Sequence, residues 1–98
     1  EFRTCALPIC IPFLSWTLEA IKFLIQERGV VAIGHESLDT DATPKLESET
    51  WLLKSGHYQI EAMANLDKVP EKGSLIVISW AKVENGFGFP ARAFAILP

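Results

Sequence analysis

Gly56-His57-Tyr58-Gln59-Ile60-Glu61-Ala62-Met63-Ala64-Asn65-Leu66-Asp67-Lys68-Val69-Pro70 is the stretch on which the reading of this chain turns. An extended backbone sends successive side chains to opposite faces. From His57 onward this places His57, Gln59 and Glu61 on a polar face and Tyr58, Ile60 and Ala62 on an apolar one. The strand then meets Asn65 to Pro70, where Asn and Asp can bond their own backbone and Pro70 has no N–H with which to continue a helix. The pattern predicts a strand that carries a carboxylate, Glu61, and ends in a rigid turn.

Upstream, Leu18, Ile21, Leu24 and Ile25 recur at helical spacing, with Trp16 and Phe23 widening the apolar face. Ser15 is a good N-cap, Glu19 suits the positive end of the helix dipole, and Gly29 is a stop, so an amphipathic helix is predicted over 15–28. Val30-Val31-Ala32-Ile33 follows as a short, uncharged, β-branched run that fits a buried strand. Residues 46–53 can form a second, short helix ending near Ser55-Gly56, with Leu46, Glu49 and Leu53 on its buried face. Downstream, residues 74–80 read as a strand apolar on both faces, 84–90 as a glycine-rich connection and 91–97 as a closing strand. The fold class is α/β: a mixed sheet built from the strands near 30, 57, 74 and 91, with one main helix packed on it.

The totals narrow the function classes. Ninety-eight residues suffice for one small core, burying roughly 60 % of the surface of the unfolded chain. A 49 % hydrophobic content and a mean hydropathy of +0.22 are high for so small a unit, and imply apolar surface turned toward another chain or a missing half. The formal charge is −3, the pI is near 5.3, and the basic residues are scattered, which argues against nucleic acid as a partner. Glu19, Lys22, Gln26 and Glu27 interrupt the most apolar region, so nothing approaches the roughly 20 apolar residues of a membrane span. The two cysteines, Cys5 and Cys10, are too few for a zinc knuckle and read as free thiols of a reducing cytoplasm. Glu1-Phe2 is what a common cloning junction encodes, so residues 1–11 are set apart as a non-native or linker segment.

Chemistry concentrates between His35 and Glu61. Glu36, Asp39, Asp41, Glu47 and Glu49 stand against a single Lys45, either as an acidic surface loop or as carboxylates converging on a cation. Glu49 on the inner face of the short helix and Glu61 on the polar face of the next strand are folded toward one another by the Ser55-Gly56 turn. Two converging carboxylates repel unless a cation sits between them, and a divalent metal is the economical resolution. His57 shares the face of Glu61 and is a candidate catalytic acid/base or ligand; the alternative is a hydrogen-bonded structural histidine. Phe87 and Phe89 can line a pocket for an aromatic ligand or belong to a core. Gly86 and Gly88 lack the Lys-Ser/Thr of a phosphate loop and read as a tight connection.

Gly56, Tyr58 and Glu61, followed by Ala64-Asn65-Leu66-Asp67-Lys68-Val69-Pro70, resemble the signature of the cyclase family of metal-dependent hydrolases, which includes bacterial kynurenine formamidase and isatin hydrolase. The resemblance extends to Ala32-Ile33-Gly34-His35-Glu36 with Asp39-Thr40-Asp41, and to Gly86-Phe87-Gly88-Phe89-Pro90-Ala91-Arg92. It takes in residues 12–98, matching only the C-terminal part of a family domain and its fold. It implies hydrolysis of an amide or related carbonyl bond in a small cyclic or aryl substrate, with a divalent metal, Mn or Zn, as cofactor. Glu61 keeps a family metal ligand, while Glu49, twelve positions earlier, stands where the family has histidine. Carboxylate for imidazole suits Mn²⁺ better than Zn²⁺. Glu36 and Asp41 match acidic family positions and are assigned to organising the loop behind the ligands; Arg92 matches a family arginine and is assigned a structural pairing with a buried carboxylate. The family's main metal segment, His-x-Gly-Thr-His-x-Asp, is absent, since His35 and His57 are the only histidines. The metal site is therefore expected to be incomplete and the isolated chain inactive, completed by a missing N-terminal half or by homo-oligomerisation. The rival expectations are a non-catalytic, self-associating domain and a small module binding aromatic ligands at Phe87 and Phe89.

Overall fold

A computed structural model gives the fold and describes residues 15–98. The segment 1–11, with Cys5 and Cys10, lies outside the described residues. Two compact units divide after Ala62. The first holds α1 (Leu18–Arg28), β1 (Ala32–Gly34), α2 (Glu47–Lys54) and β2 (Tyr58–Ile60). The second, Met63–Pro98, holds a 3₁₀ turn (Leu66–Lys68), β3 (Leu75–Trp80) and β4 (Ala91–Ile96).

Helix α1 starts later than the sequence predicts. Thr17, not Ser15, is the N-cap: its hydroxyl accepts from the Ala20 N–H at 3.2 Å. Trp16 donates its N–H to the Thr40 carbonyl at 2.9 Å, which holds the preceding chain outside the helix. Gly29 closes the helix in the left-handed conformation (φ 67°), and the N–H groups of Gly29 and Val30 both turn back to the Leu24 carbonyl. Val30 is thus consumed by the helix stop, so β1 comprises Ala32–Gly34 instead of 30–33. Phe23, expected on the packed face, is exposed beneath the Arg28 guanidinium, 4.8 Å from the ring centre.

Strands β1 and β2 pair in parallel, Ala32 opposite Tyr58 and Gly34 opposite Ile60. A parallel pair needs a crossover, supplied here by the acidic loop and α2. Ile21, Ile33 and Leu52 form the buried core, flanked by Trp16, Ile25 and Trp51. On α2 the inward residues are Ser48 and Leu52, whereas Leu53, expected inside, is exposed. The Ser48 hydroxyl donates to the Trp16 carbonyl at 3.0 Å, which fixes the helix rotation and leaves Glu49 half-buried at the edge of the packed stripe.

The second unit is built on an antiparallel pair with Leu75 opposite Ile96 and Trp80 opposite Ala91. One face carries Leu75, Val77, Phe94 and Ile96 with the polar pair Ser79 and Arg92; the other carries Ile76, Ile78 and Trp80 against Ala91, Ala93 and Ala95. In the connection, a Cβ on Gly86 would sit 2.0 Å from the Phe89 ring, so any larger residue there would displace that ring. The chain mixes helices and strands as expected, but in two separate two-stranded sheets and not one mixed sheet. Ala62 (φ 50°) and Asn65 (φ 62°) are left-handed and break the extended backbone just after β2. Among the described residues no helix is long and apolar enough to cross a membrane.

Candidate metal centre

The acidic loop is held by one carboxylate. Asp41 is 2 % exposed. Its Oδ2 accepts the N–H groups of Ser48 (2.7 Å) and Glu49 (3.1 Å), and its Oδ1 accepts the N–H (2.9 Å) and hydroxyl (2.5 Å) of Thr43. The N-cap residue of α2, Leu46, supplies no side-chain bond and adopts a left-handed conformation. Asp41 therefore caps α2 from outside the local turn, while the Thr43 hydroxyl takes the Glu47 N–H at 3.0 Å. Burial pushes the Asp41 carboxyl up, but the bonds from Thr43, Glu49 and Ser48 outweigh it and leave the group below the ordinary aspartate value. With four donors on its two oxygens, Asp41 is the loop's fastening and has no lone pair to spare for a ligand.

Three other carboxylates converge. Asp39, Glu49 and Glu61 each place one ligand atom within 4.8 Å of the others. Two oxygens on opposite sides of one hard cation lie roughly 4–5 Å apart, twice a bond of about 2.0–2.6 Å, so the spread lies within a cation's reach. Glu49 Oε2 is buried with no hydrogen-bond partner, a state that costs on the order of 1–3 kcal/mol, more for a charged group, unless something ligates it. Glu61 is exposed and its Oε1 accepts from Gln59 Nε2 at 2.5 Å. The donor set is all oxygen, which fits Mg²⁺, Mn²⁺ or Ca²⁺ better than Zn²⁺.

The structure thus brings Glu49 and Glu61 together and adds Asp39, which the sequence reading did not single out. Asp39 and Asp41 look equivalent in the sequence. Only the irregular path of the loop, with Thr40 and Asp41 turned inward and Asp39 outward, separates the converging carboxylate from the fastening one. His57 is half-buried, with Nδ1 3.1 Å from the Ser55 hydroxyl, and lies outside the three-carboxylate group. Glu36 is exposed and also outside it. In the second unit Phe87 is fully exposed, the Phe89 ring lies over Gly86, and Arg92 is exposed opposite Ser79 and not buried beside a carboxylate.

Replacing Asp41 by Asn puts an NH₂ against two donors and is expected to cost about 2 kcal/mol in urea unfolding at neutral pH. Because the folded-state pKa is depressed, this stabilisation is complete above the unfolded value, near pH 4, and is lost as pH falls through the folded value. The two proteins should therefore converge in stability below that window; a gap that persists to the lowest pH contradicts the capping role.

Comparison with known proteins places these residues in context. The chain is 32 % identical over 88 residues to an isatin hydrolase of Roseibium aggregatum, an alignment covering 84 % of this chain and 33 % of that enzyme. It thus spans about a third of the length of the curated relative it matches. No family model matches the chain, and no solved structure does. The similarity is to a hydrolase, in agreement with the resemblance carried by Ala64 to Pro70.

Proposed function

We propose that this chain is part of a metal-dependent hydrolase that opens an amide or related carbonyl bond in a small cyclic or aryl substrate. Two observations carry the reading: Asp39, Glu49 and Glu61 converge, and Glu49 has a buried oxygen with no hydrogen-bond partner. The similarity to isatin hydrolase supports the reaction class. A divalent cation at such a site supplies a Lewis acid for the carbonyl and lowers the pKa of water. Glu49 would hold it through Oε2, Glu61 through the oxygen that Gln59 does not occupy, and Asp39 from the loop. Asp41 fixes the backbone of Glu49 by accepting its N–H. The Ser55 hydroxyl engages Nδ1 of His57, leaving Nε2 to accept or return a proton. Glu36 is assigned to the outer loop and Phe87 and Phe89 to contacts with an aromatic substrate; the remaining ligands would come from residues this chain lacks, supplied by an N-terminal half or a second copy.

The test is Mn²⁺ titration of the purified chain with elemental analysis. Stoichiometric uptake is expected in the wild type. Glu61→Ala and Glu49→Ala should each weaken it by more than about tenfold, since even the outer partners of a ligand are worth ~10–100-fold. Uptake unchanged by both substitutions, or absent from the wild type, removes the metal reading.

A second reading, a non-catalytic, self-associating domain, is favoured by one observation. Apart from the Ser79–Arg92 pair, both faces of the β3–β4 pair are apolar, and Leu75, Ile76, Trp80, Phe94 and Ile96 are all exposed. A two-stranded pair is marginal in water without a covering layer. Sedimentation velocity should show association that Phe94→Lys abolishes; a clean wild-type monomer contradicts it.

A further inference from the structure

One polar chain runs from the buried interior out to a proposed ligand. His35, just past β1, is 8 % exposed, and Thr40 is fully buried. His35 Nε2 lies 3.0 Å from the Thr40 hydroxyl, which donates to Gln59 Oε1 at 2.5 Å, and Gln59 Nε2 donates to Glu61 Oε1 at 2.5 Å. Counting protons fixes the direction of the bonds from Glu61 back to His35. A carboxylate only accepts, so the amide of Gln59 must turn its NH₂ to Glu61 and its oxygen to Thr40. The threonine hydroxyl has one proton, spent on that oxygen, so it accepts from His35, whose Nε2 carries a hydrogen. On the other side of the ring, Nδ1 lies 3.0 Å from both the carbonyl and the hydroxyl of Ser37, and that hydroxyl also reaches the Asp39 carbonyl at 2.8 Å. The imidazole thus lies between Thr40 on one side and, on the other, the serine whose hydroxyl donates to the Asp39 carbonyl.

We propose that His35, Thr40 and Gln59 are positioning residues: a directed hydrogen-bond relay that holds Oε1 of Glu61 and leaves its second oxygen for a cation. The proposal rests on the metal reading above. The relay matters because Glu61 is exposed, between the end of β2 and the left-handed Ala62, and among the described residues only Gln59 hydrogen-bonds its side chain. An unrestrained glutamate gives up rotamer entropy on being fixed. Gln59 imposes the rotamer in advance, Thr40 orients Gln59, and His35 orients Thr40. Consecutive bonds of one polarity also reinforce each other in a buried setting. Outer partners of this kind commonly determine how well a ligand performs.

The test compares Thr40→Val, which keeps the shape but removes the hydroxyl, with Thr40→Ser, which keeps the hydroxyl. Mn²⁺ affinity is read by electron paramagnetic resonance and folding by thermal melting. Thr40→Val is expected to weaken Mn²⁺ binding about tenfold and Thr40→Ser to stay within about twofold of the wild type. Should Thr40→Val not fold, Gln59→Leu, at a half-buried site, replaces it with the same expected loss. Folded variants lacking the relay that bind as the wild type does overturn the proposal. The metal-free protein provides an independent readout by ¹⁵N NMR: a hydrogen on His35 Nε2, and Gln59 amide protons protected from exchange in the wild type and Thr40→Ser but not in Thr40→Val. If the wild type takes up no Mn²⁺, the metal reading fails by itself. The relay is then overturned by a bare Nε2 or by a Gln59 amide indifferent to Thr40→Val, and upheld by the stated spectra.

Discussion

The carboxylate of Asp41 is the interaction on which the first unit depends. It gathers four hydrogen bonds from Thr43, Ser48 and Glu49, and so sets where the loop ends and where α2 begins. The arrangement has an internal cost. Leu46 is held at φ 46°, a conformation that costs a non-glycine residue on the order of 1–2 kcal/mol. An N-cap bond returns ~0.5–2 kcal/mol, and here two N–H groups of the first turn reach Asp41 while a third reaches Thr43. The capping bonds therefore outweigh the strain, and the helix starts at the residue that brings Glu49 to the edge of the core.

That edge gives the carboxylates their chemical meaning. Ser48 and Leu52 face inward beside Ile21 and Ile33. Glu49, one residue round from Ser48, is left with an oxygen that neither solvent nor a donor satisfies. Polar atoms in that condition usually mark a strained or ligand-binding position. Asp39 and Glu61 approach the same point from the loop and from the end of β2, the two segments joined by the His35, Thr40 and Gln59 bonds.

Regular periodicity made some of this legible in the sequence. The helix over Leu18–Arg28 and its stop at Gly29 follow from a 3.6-residue pattern and a residue free to adopt φ 67°, and the β3–β4 pair follows from two apolar runs around a glycine-rich connection. The convergence of Glu49 and Glu61 was also readable, because a short turn joins their elements. What escaped was decided by single long-range bonds. The Trp16-to-Thr40 bond moved the α1 cap from Ser15 to Thr17, and the Ser48-to-Trp16 bond turned Leu52 inward in place of Leu53. Asp39 was indistinguishable from Asp41 because an irregular loop has no period to read. The single sheet failed because left-handed Ala62 ends the extended backbone that β2 would have needed.

Asp39, Glu49 and Glu61 offer only oxygen donors, and the proposed metal reading makes this group a local cation site. Paramagnetic broadening of backbone resonances by sub-stoichiometric Mn²⁺ tests it most directly. Loss of signal first at Asp39, Glu49 and Glu61, ahead of the exposed acidic residues elsewhere, is the expected result. Uniform broadening over all exposed acidic residues, with no preference for these three, would contradict the account.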